Sequence, residues 1–163
     1  CLTTNGALLA NHIDALAKAG LKRVNVSIDT LDGAKFKRMT KRGDLDKVLE
    51  GIFAAKAAGM APIKLNAVVE RGVNDDDILP LVEFCRANGF AIRFIEYMDV
   101  GNSNNWTSAK LVAKKQIIET IHARIIRPNP QNSFAIEVHA AQEVPAQACL
   151  LLRVVFVVRE AVG

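Results

Sequence analysis

Three polar side chains interrupt what would otherwise be a buried strand. Residues 21–32 read LKRVNVSIDTLD, with Asn25, Ser27 and Asp29 at alternate positions. Strand side chains alternate faces with a period of two, so these three point one way while Val24, Val26 and Ile28 point the other. The pattern returns along the chain. Thr3, Thr4 and Asn5 end an earlier strand, Lys64 and Asn66 share a face of a later one, and Arg93, Glu96 and Met98 lie on a fourth. Such a lining of amides, hydroxyls and a lysine suits the binding of polar, anionic molecules such as nucleotides, with the reactive group supplied by something else. It does not suit nucleophilic catalysis. No histidine pairs with a neighbouring Ser or Cys, and His12, His122 and His139 are scattered. Neither a P-loop nor a G-x-G-x-x-G fingerprint is present. The other chemistry open to this set is a Schiff base on Lys64, as in a phosphosugar or aldol-type barrel, which would need a lysine of depressed pKa.

The elements that would carry these residues repeat. DALAKAG ends at Gly20 before LKRVNVSID, AAKAAG ends at Gly59 before MAPIKLNAVVE, and EFCRANG ends at Gly89 before FAIRFIEYM. Each unit is an amphipathic helix stopped by glycine, which suits the left-handed position just past a helix end, followed by a strand. Helix–strand repeats predict a parallel sheet with right-handed crossovers, curling toward a barrel. In such barrels the site lies at the C-terminal ends of the strands, where the polar residues fall. The expected order is a strand ending near Thr4, a turn at Asn5-Gly6, a helix over 8–18, the strand containing NVSID, and a helix over 44–58 capped by Asp44. A strand over Ile63–Val69, a helix from Asn74 or Asp75 to 87, a strand over 92–98, a polar loop over 99–108 and a helix over 111–124 complete it. Beyond residue 127 the rhythm stops. FAIEVHA alternates like a strand, and the apolar run near LLLRVVFVV is either a buried strand or a short helix.

Composition bounds the rest. The chain has 163 residues, half of them hydrophobic, and a net charge of +4, which suits one globular domain with a sizeable core and no membrane span. Lys35, Lys37, Arg38, Lys41 and Arg42 form the densest basic cluster, read as a solvated helix and loop or as a rim that attracts phosphates. Only Phe36 is interleaved with it, so nucleic-acid binding is not expected. Cys1, Cys85 and Cys149 are odd in number and without a CxxC pair, which points to a reducing compartment and offers no metal site. No signal peptide is visible, and the missing initiator Met suggests a fragment or an excised domain.

Four segments resemble a known family: TTNG at 3–6, AGLKRVNVSIDTLD at 19–32, IKLNAVVERGVNDDDI at 63–78 and IRFIEYMDVGNSNNW at 92–106. Together they are similar to the GTP 3′,8-cyclases, radical S-adenosylmethionine enzymes of molybdenum cofactor biosynthesis. The resemblance runs from Cys1 to about Ile121. It implies an α/β fold of partial TIM-type (β/α)6 barrel, of which residues 1–126 would hold strands three to six with covering helices. Residues 127–163 would be a divergent tail. It implies reductive cleavage of S-adenosylmethionine at a 4Fe-4S cluster, hydrogen abstraction from the ribose of GTP, and closure of a ring onto the guanine. By matching motifs, Thr3 and Lys64 correspond to GTP contacts, and Ser27 and Met98 to S-adenosylmethionine contacts; Asn5, Asn66 and Arg93 would line the same cavity. The implied setting is cytoplasmic, with an electron donor and room for a homodimer. The cluster-binding CxxxCxxC motif, the GGEP motif and the family's later cysteines have no counterparts in these residues. Three readings follow: a segment of a cyclase, a cluster-less nucleotide-binding remnant, or a coding frame that changes near Arg127.

Overall fold

A computed structural model describes residues 1–98, 107–126, 134–140 and 150–156, and its contacts divide the chain into two compact units, Cys1–Ala67 and Val68–Gly163. The first unit builds three parallel strands from the repeat. Strand β1 (Leu2–Thr4) is followed by α1 (Leu9–Lys18), β2 (Val24–Ser27), α2 (Gly33–Thr40), α3 (Leu45–Ala57) and the start of β3 (Ile63–Val69). The register sets Leu2 beside Val24, Thr3 beside Asn25, Asn25 beside Lys64 and Ser27 beside Asn66. Parallel neighbours require a crossover between them, and helices supply it.

The alternation in β2 and β3 becomes a division of faces. Val24, Val26, Ile28, Leu65 and Ala67 are buried, together with Leu9 and Ile13 of α1 and Val48, Ile52 and Ala55 of α3. Each of the valines, leucines and isoleucines among them contributes about 1.5–3 kcal/mol by leaving water, and the alanines less. The starts of α2 and α3 are set by side chains. Asp32 accepts from Lys35 N at 2.7 Å to begin α2, and Asp44 accepts from Asp46 N at 3.1 Å to begin α3; a carboxylate there satisfies amides that have no partner inside the helix. Helix α2 is therefore regular through most of the basic segment, with Phe36 buried beneath it.

The second unit holds the end of β3, a 3₁₀ turn at Asp75–Asp77, α4 (Ile78–Asn88), β4 (Ala91–Glu96) and α5 (Lys114–Ile121), which runs on as a π-helical turn over His122–Ile126. Strands β5 (Phe134–Ala140) and β6 (Leu150–Phe156) follow, β6 lying antiparallel to both β4 and β5. The apolar run of the tail is thus a strand, and FAIEVHA is its partner. Residues 99–106, most of the expected polar loop, lie outside the described residues, as do the PNPQNS turn and Cys149.

The repeat shows in its joints as much as in its strands. Leu21 N bonds Leu16 O at 3.0 Å, Met60 N bonds Ala55 O at 3.1 Å, and Phe90 N bonds Cys85 O at 2.9 Å. These are the same six-to-one closure just past three helix ends. Two elements start later than the sequence suggests, each held back by its own contact with the turn after β3. Asn74 is buried, and its side chain accepts from Glu70 N and donates to Val68 O, both at 2.8 Å. It is spent on closing the turn after β3, so the regular helix begins at Ile78. Leu111 bridges antiparallel to Glu70, and that extended segment delays α5 to Lys114.

Candidate functional site

The three parallel strands of the first unit carry a polar face opposite the buried one. Register places Thr3, Asn25 and Lys64 in one row across β1, β2 and β3, with Ser27 and Asn66 in the next row toward the strand ends. Asn25 Nδ2 donates to Thr3 Oγ1 at 3.1 Å and reaches Cys1 Sγ at 3.5 Å. Thr3 and Ser27 are exposed, and Lys64 and Asn66 are half-buried. One atom in this face is out of balance: Asn66 Oδ1 is buried and has no hydrogen-bond partner among the described residues. A buried acceptor left unpaired costs about 1–3 kcal/mol, so it marks a place where a donor belongs.

Asn5 lies past the end of β1, where its side-chain oxygen accepts from Ala7 N at 3.2 Å. Thr4 Oγ1 accepts from Gly6 N at 3.1 Å, so the TTNG turn is tied by its own side chains. In the second unit, Arg93 lies on β4 and Met98 follows its end, both half-buried. Glu96 is not a free site carboxylate. Its Oε1 accepts from Lys114 N at 2.6 Å, at the start of α5, where negative charge is favoured. The structure therefore brings Thr3, Lys64, Ser27 and Asn66 onto one face of the first unit, with Asn5 at the turn beyond it.

The basic segment reads as a solvated surface. Lys37 and Arg42 line a shallow cleft of about 390 Å³ whose wall also holds Asp44 and Asp46. Its positive charge is matched locally by acid. Of the described cysteines, Cys1 is exposed and Cys85 is buried on α4. Burial pushes the Cys85 thiol up to about 12. A thiolate is the reactive form, so iodoacetamide at pH 8 is expected to label Cys1 and to spare Cys85 until the chain is unfolded in urea, as read by peptide mass spectrometry. The same shift gives a sign to stability. The folded pKa lies above the unfolded one, so the contribution is full below about 9 and is lost as pH rises toward about 12.

Among the described residues no helix is long and apolar enough to cross a membrane, and no three His, Cys, Asp or Glu side chains gather as a metal site.

Comparison with known proteins adds sequence and fold relatives. The Radical SAM superfamily pattern matches residues 1–85. The chain is 53% identical over 124 residues to a GTP 3′,8-cyclase of Xanthomonas axonopodis pv. citri, covering 76% of this chain and 37% of that protein. It is 56% identical over 121 residues to a GTP 3′,8-cyclase of Acidothermus cellulolyticus, covering 74% and 33%. It is 43% identical over 136 residues to GTP 3′,8-cyclase 1 of Mycobacterium tuberculosis, covering 82% and 38%. The chain thus spans under two fifths of the length of these curated relatives. Among solved structures it resembles TYW1 with a lysine-pyruvate adduct bound, at a TM-score of 0.59 and 19% identity over 93% of this chain and 45% of that one. It also resembles archaeal TYW1, at 0.54 and 19%, over 93% and 44%. At that identity the likeness speaks for the fold alone, an α/β arrangement of the TIM-barrel type.

Proposed function

Because the chain belongs to the radical SAM superfamily, we propose that it is the central segment of a GTP 3′,8-cyclase, an enzyme of molybdenum cofactor biosynthesis that takes GTP and S-adenosylmethionine. The observation that carries this is the polar face of β1, β2 and β3, with the buried Asn66 Oδ1 awaiting a donor beside Ser27. The identity of 43–56% to named cyclases favours this reading over a vestigial binding module.

Each proposed contact follows from its chemistry. Lys64 is a compact cation on a flexible stem, suited to a triphosphate. The Thr3 hydroxyl shares its row and would hold GTP by donating or accepting. Ser27 and Asn66 are adjacent across β2 and β3, and ribose hydroxyls of S-adenosylmethionine would supply the donor that Asn66 Oδ1 lacks. The unpaired acceptor of Asn66 is what this chain offers to such a ligand. On the second unit, Met98 is proposed as an S-adenosylmethionine contact through its soft thioether and Arg93 as a cavity-lining residue; on the first unit, Asn5 is proposed in the lining role. Residues 1–126 are then the central part of the barrel, and 127–163 a divergent tail.

The radical chemistry of the superfamily is supplied by an iron–sulfur cluster, and such clusters are held by cysteine thiolates. The described residues do not fit one. Cys85 is held as a thiol in the core, and no three His, Cys, Asp or Glu side chains among the described residues gather as a metal site. We assign this chain the binding and orientation of the two nucleoside ligands, and place the cluster ligands and the contact with an electron donor elsewhere in the complete protein. The free Cys1 and Cys85 accord with a reducing, cytoplasmic setting, and homodimerisation is part of the same proposal.

The test is made on the complete protein that contains this chain, reconstituted anaerobically with iron and sulfide and given GTP, S-adenosylmethionine and a reductant. Mass spectrometry is expected to show GTP consumed to a cyclic isomer, with release of 5′-deoxyadenosine. Cleavage of S-adenosylmethionine with GTP untouched, and with another nucleotide consumed instead, would overturn GTP as the substrate.

A further inference from the structure

Within the second unit, Lys110 is held at three points. Its backbone N–H donates to Thr107 O at 3.0 Å, and its carbonyl accepts from Arg71 N at 2.9 Å. Its ammonium lies 3.1 Å from Glu70 Oε1. The next residue is held as firmly. Leu111 O accepts from Arg71 Nη2 at 2.9 Å and Nε at 3.3 Å, and the same guanidinium donates to Gln116 Oε1 at 2.7 Å. The Glu70–Arg71 pair after β3 thus grips the chain that leads into α5.

This grip leaves the Lys110 ammonium at a defined place, 5.7 Å from the centroid of the Tyr97 ring. A cation within about 6 Å of an aromatic face is attracted to it electrostatically, and the attraction grows as water is removed. Glu70 and Lys110 are partly withdrawn from solvent, with side chains 19% and 36% exposed, so the pair is less screened than a free surface contact. Tyr97 is the residue between the end of β4 and Met98. Tyr97 and Met98 share a peptide bond, so a displacement of Tyr97 moves the backbone from which Met98 projects.

We propose that Lys110, oriented by Glu70, is a positioning residue that sets the Tyr97 ring and, through it, the placement of Met98 toward the sulfonium nucleoside. The functional half of this rests on the assignment of Met98 made above. Lys110 touches no ligand in this scheme. It acts as a cation clamped between a carboxylate and an aromatic ring, and its effect on binding is transmitted by two adjacent residues.

Tyr97 is the chain's single tyrosine, so 3-fluorotyrosine labelling gives one fluorine NMR resonance that reports this ring alone. Lys110→Met keeps the stem and removes the charge, and is expected to move the resonance toward its position in the urea-unfolded chain. Lys110→Arg keeps a cation over the ring and is expected to hold it in place. The double change Glu70→Lys with Lys110→Glu restores an ion pair but sets a carboxylate against the ring, and is expected to leave the resonance displaced. An unmoved resonance in Lys110→Met, or full recovery in the double variant, would overturn the proposal. Thermal melting of the same samples separates this from a general loss of stability, which lowers the midpoint without displacing the folded resonance. Titration with S-adenosylmethionine then reads the second half: it should shift the wild-type resonance, with roughly three-fold more ligand needed by Lys110→Met. A wild-type resonance that S-adenosylmethionine leaves untouched would remove Met98 as a ligand contact, whereas the variant comparison would still decide who places the ring.

Discussion

Replacing Gly6 by Ala is expected to destabilise the chain by about 2–5 kcal/mol, the sum of a backbone term and an overpacking term. Gly6 has a φ of +81°, where a side chain crowds the following carbonyl. An added Cβ would also lie 2.9 Å from Val26 Cγ1 and 2.9 Å from Val48 Cγ1, and both valines are packed in the core. Neither can swing away as a surface chain would. Gly51→Ala is an instructive contrast. It removes a helix-interior glycine, which by propensity alone would stabilise α3 by about 1 kcal/mol. Its Cβ would meet Gly6 O and Leu9 Cβ, each at 2.9 Å, and a backbone oxygen yields less readily than a side chain. Crowding of about 1–3 kcal/mol outweighs the propensity gain, so a smaller net loss is expected. Urea unfolding of each variant reads both values from the shift in midpoint at constant slope. A Gly6→Ala midpoint within error of the parent would show that this turn is not wedged between β2 and α3. The consequence reaches the site, because Gly6 N is bonded to Thr4 Oγ1 and the turn follows directly on Thr3.

The parts of the fold that could be read from the sequence are those governed by local rules. Gly20, Gly59 and Gly89 mark helix ends because one backbone conformation is needed there, and all three have positive φ. Asp44 begins α3 because a short acceptor is needed at that point. The polar face was legible because a period of two cannot hide three polar residues in a buried strand, and register then brought Asn25 beside Lys64 and Ser27 beside Asn66. What local rules could not give is what distant segments do to one another. Glu96 looks like a site acid until Lys114, eighteen residues on, claims its oxygen. Asn74 looks like a helix start until its amide is found closing the turn behind it. Lys110 is unremarkable in sequence, and only the turn after β3 sets it over Tyr97. The tail shows the same limit: an apolar run carries no label for strand or helix, and the antiparallel partners of β6 decide it.

Lys64→Ala in the complete protein is expected to weaken GTP binding roughly ten- to a hundred-fold, the range for losing a hydrogen bond from a charged group to a phosphate. The residue stands in the row of Thr3 and Asn25, one row from Ser27 and Asn66. A contact confined to the triphosphate should leave S-adenosylmethionine affinity within about two-fold, because separate sites add nearly independently. Calorimetric titration with each ligand gives the two numbers. A cation facing a triphosphate also makes binding salt-sensitive, so the variant should lose part of the salt dependence along with the affinity. Lys64→Arg sharpens the assignment. It keeps the charge but replaces a point donor with a planar fork, so it should retain a fraction of the affinity. A lysine acting as a Schiff-base nucleophile would tolerate no such exchange, since a guanidinium cannot be deprotonated to attack a carbonyl. Partial retention of GTP affinity by Lys64→Arg with the roughly ten- to hundred-fold loss in Lys64→Ala therefore places the role of Lys64 in charge, whereas equal GTP affinity in all three proteins would remove it from the nucleotide site.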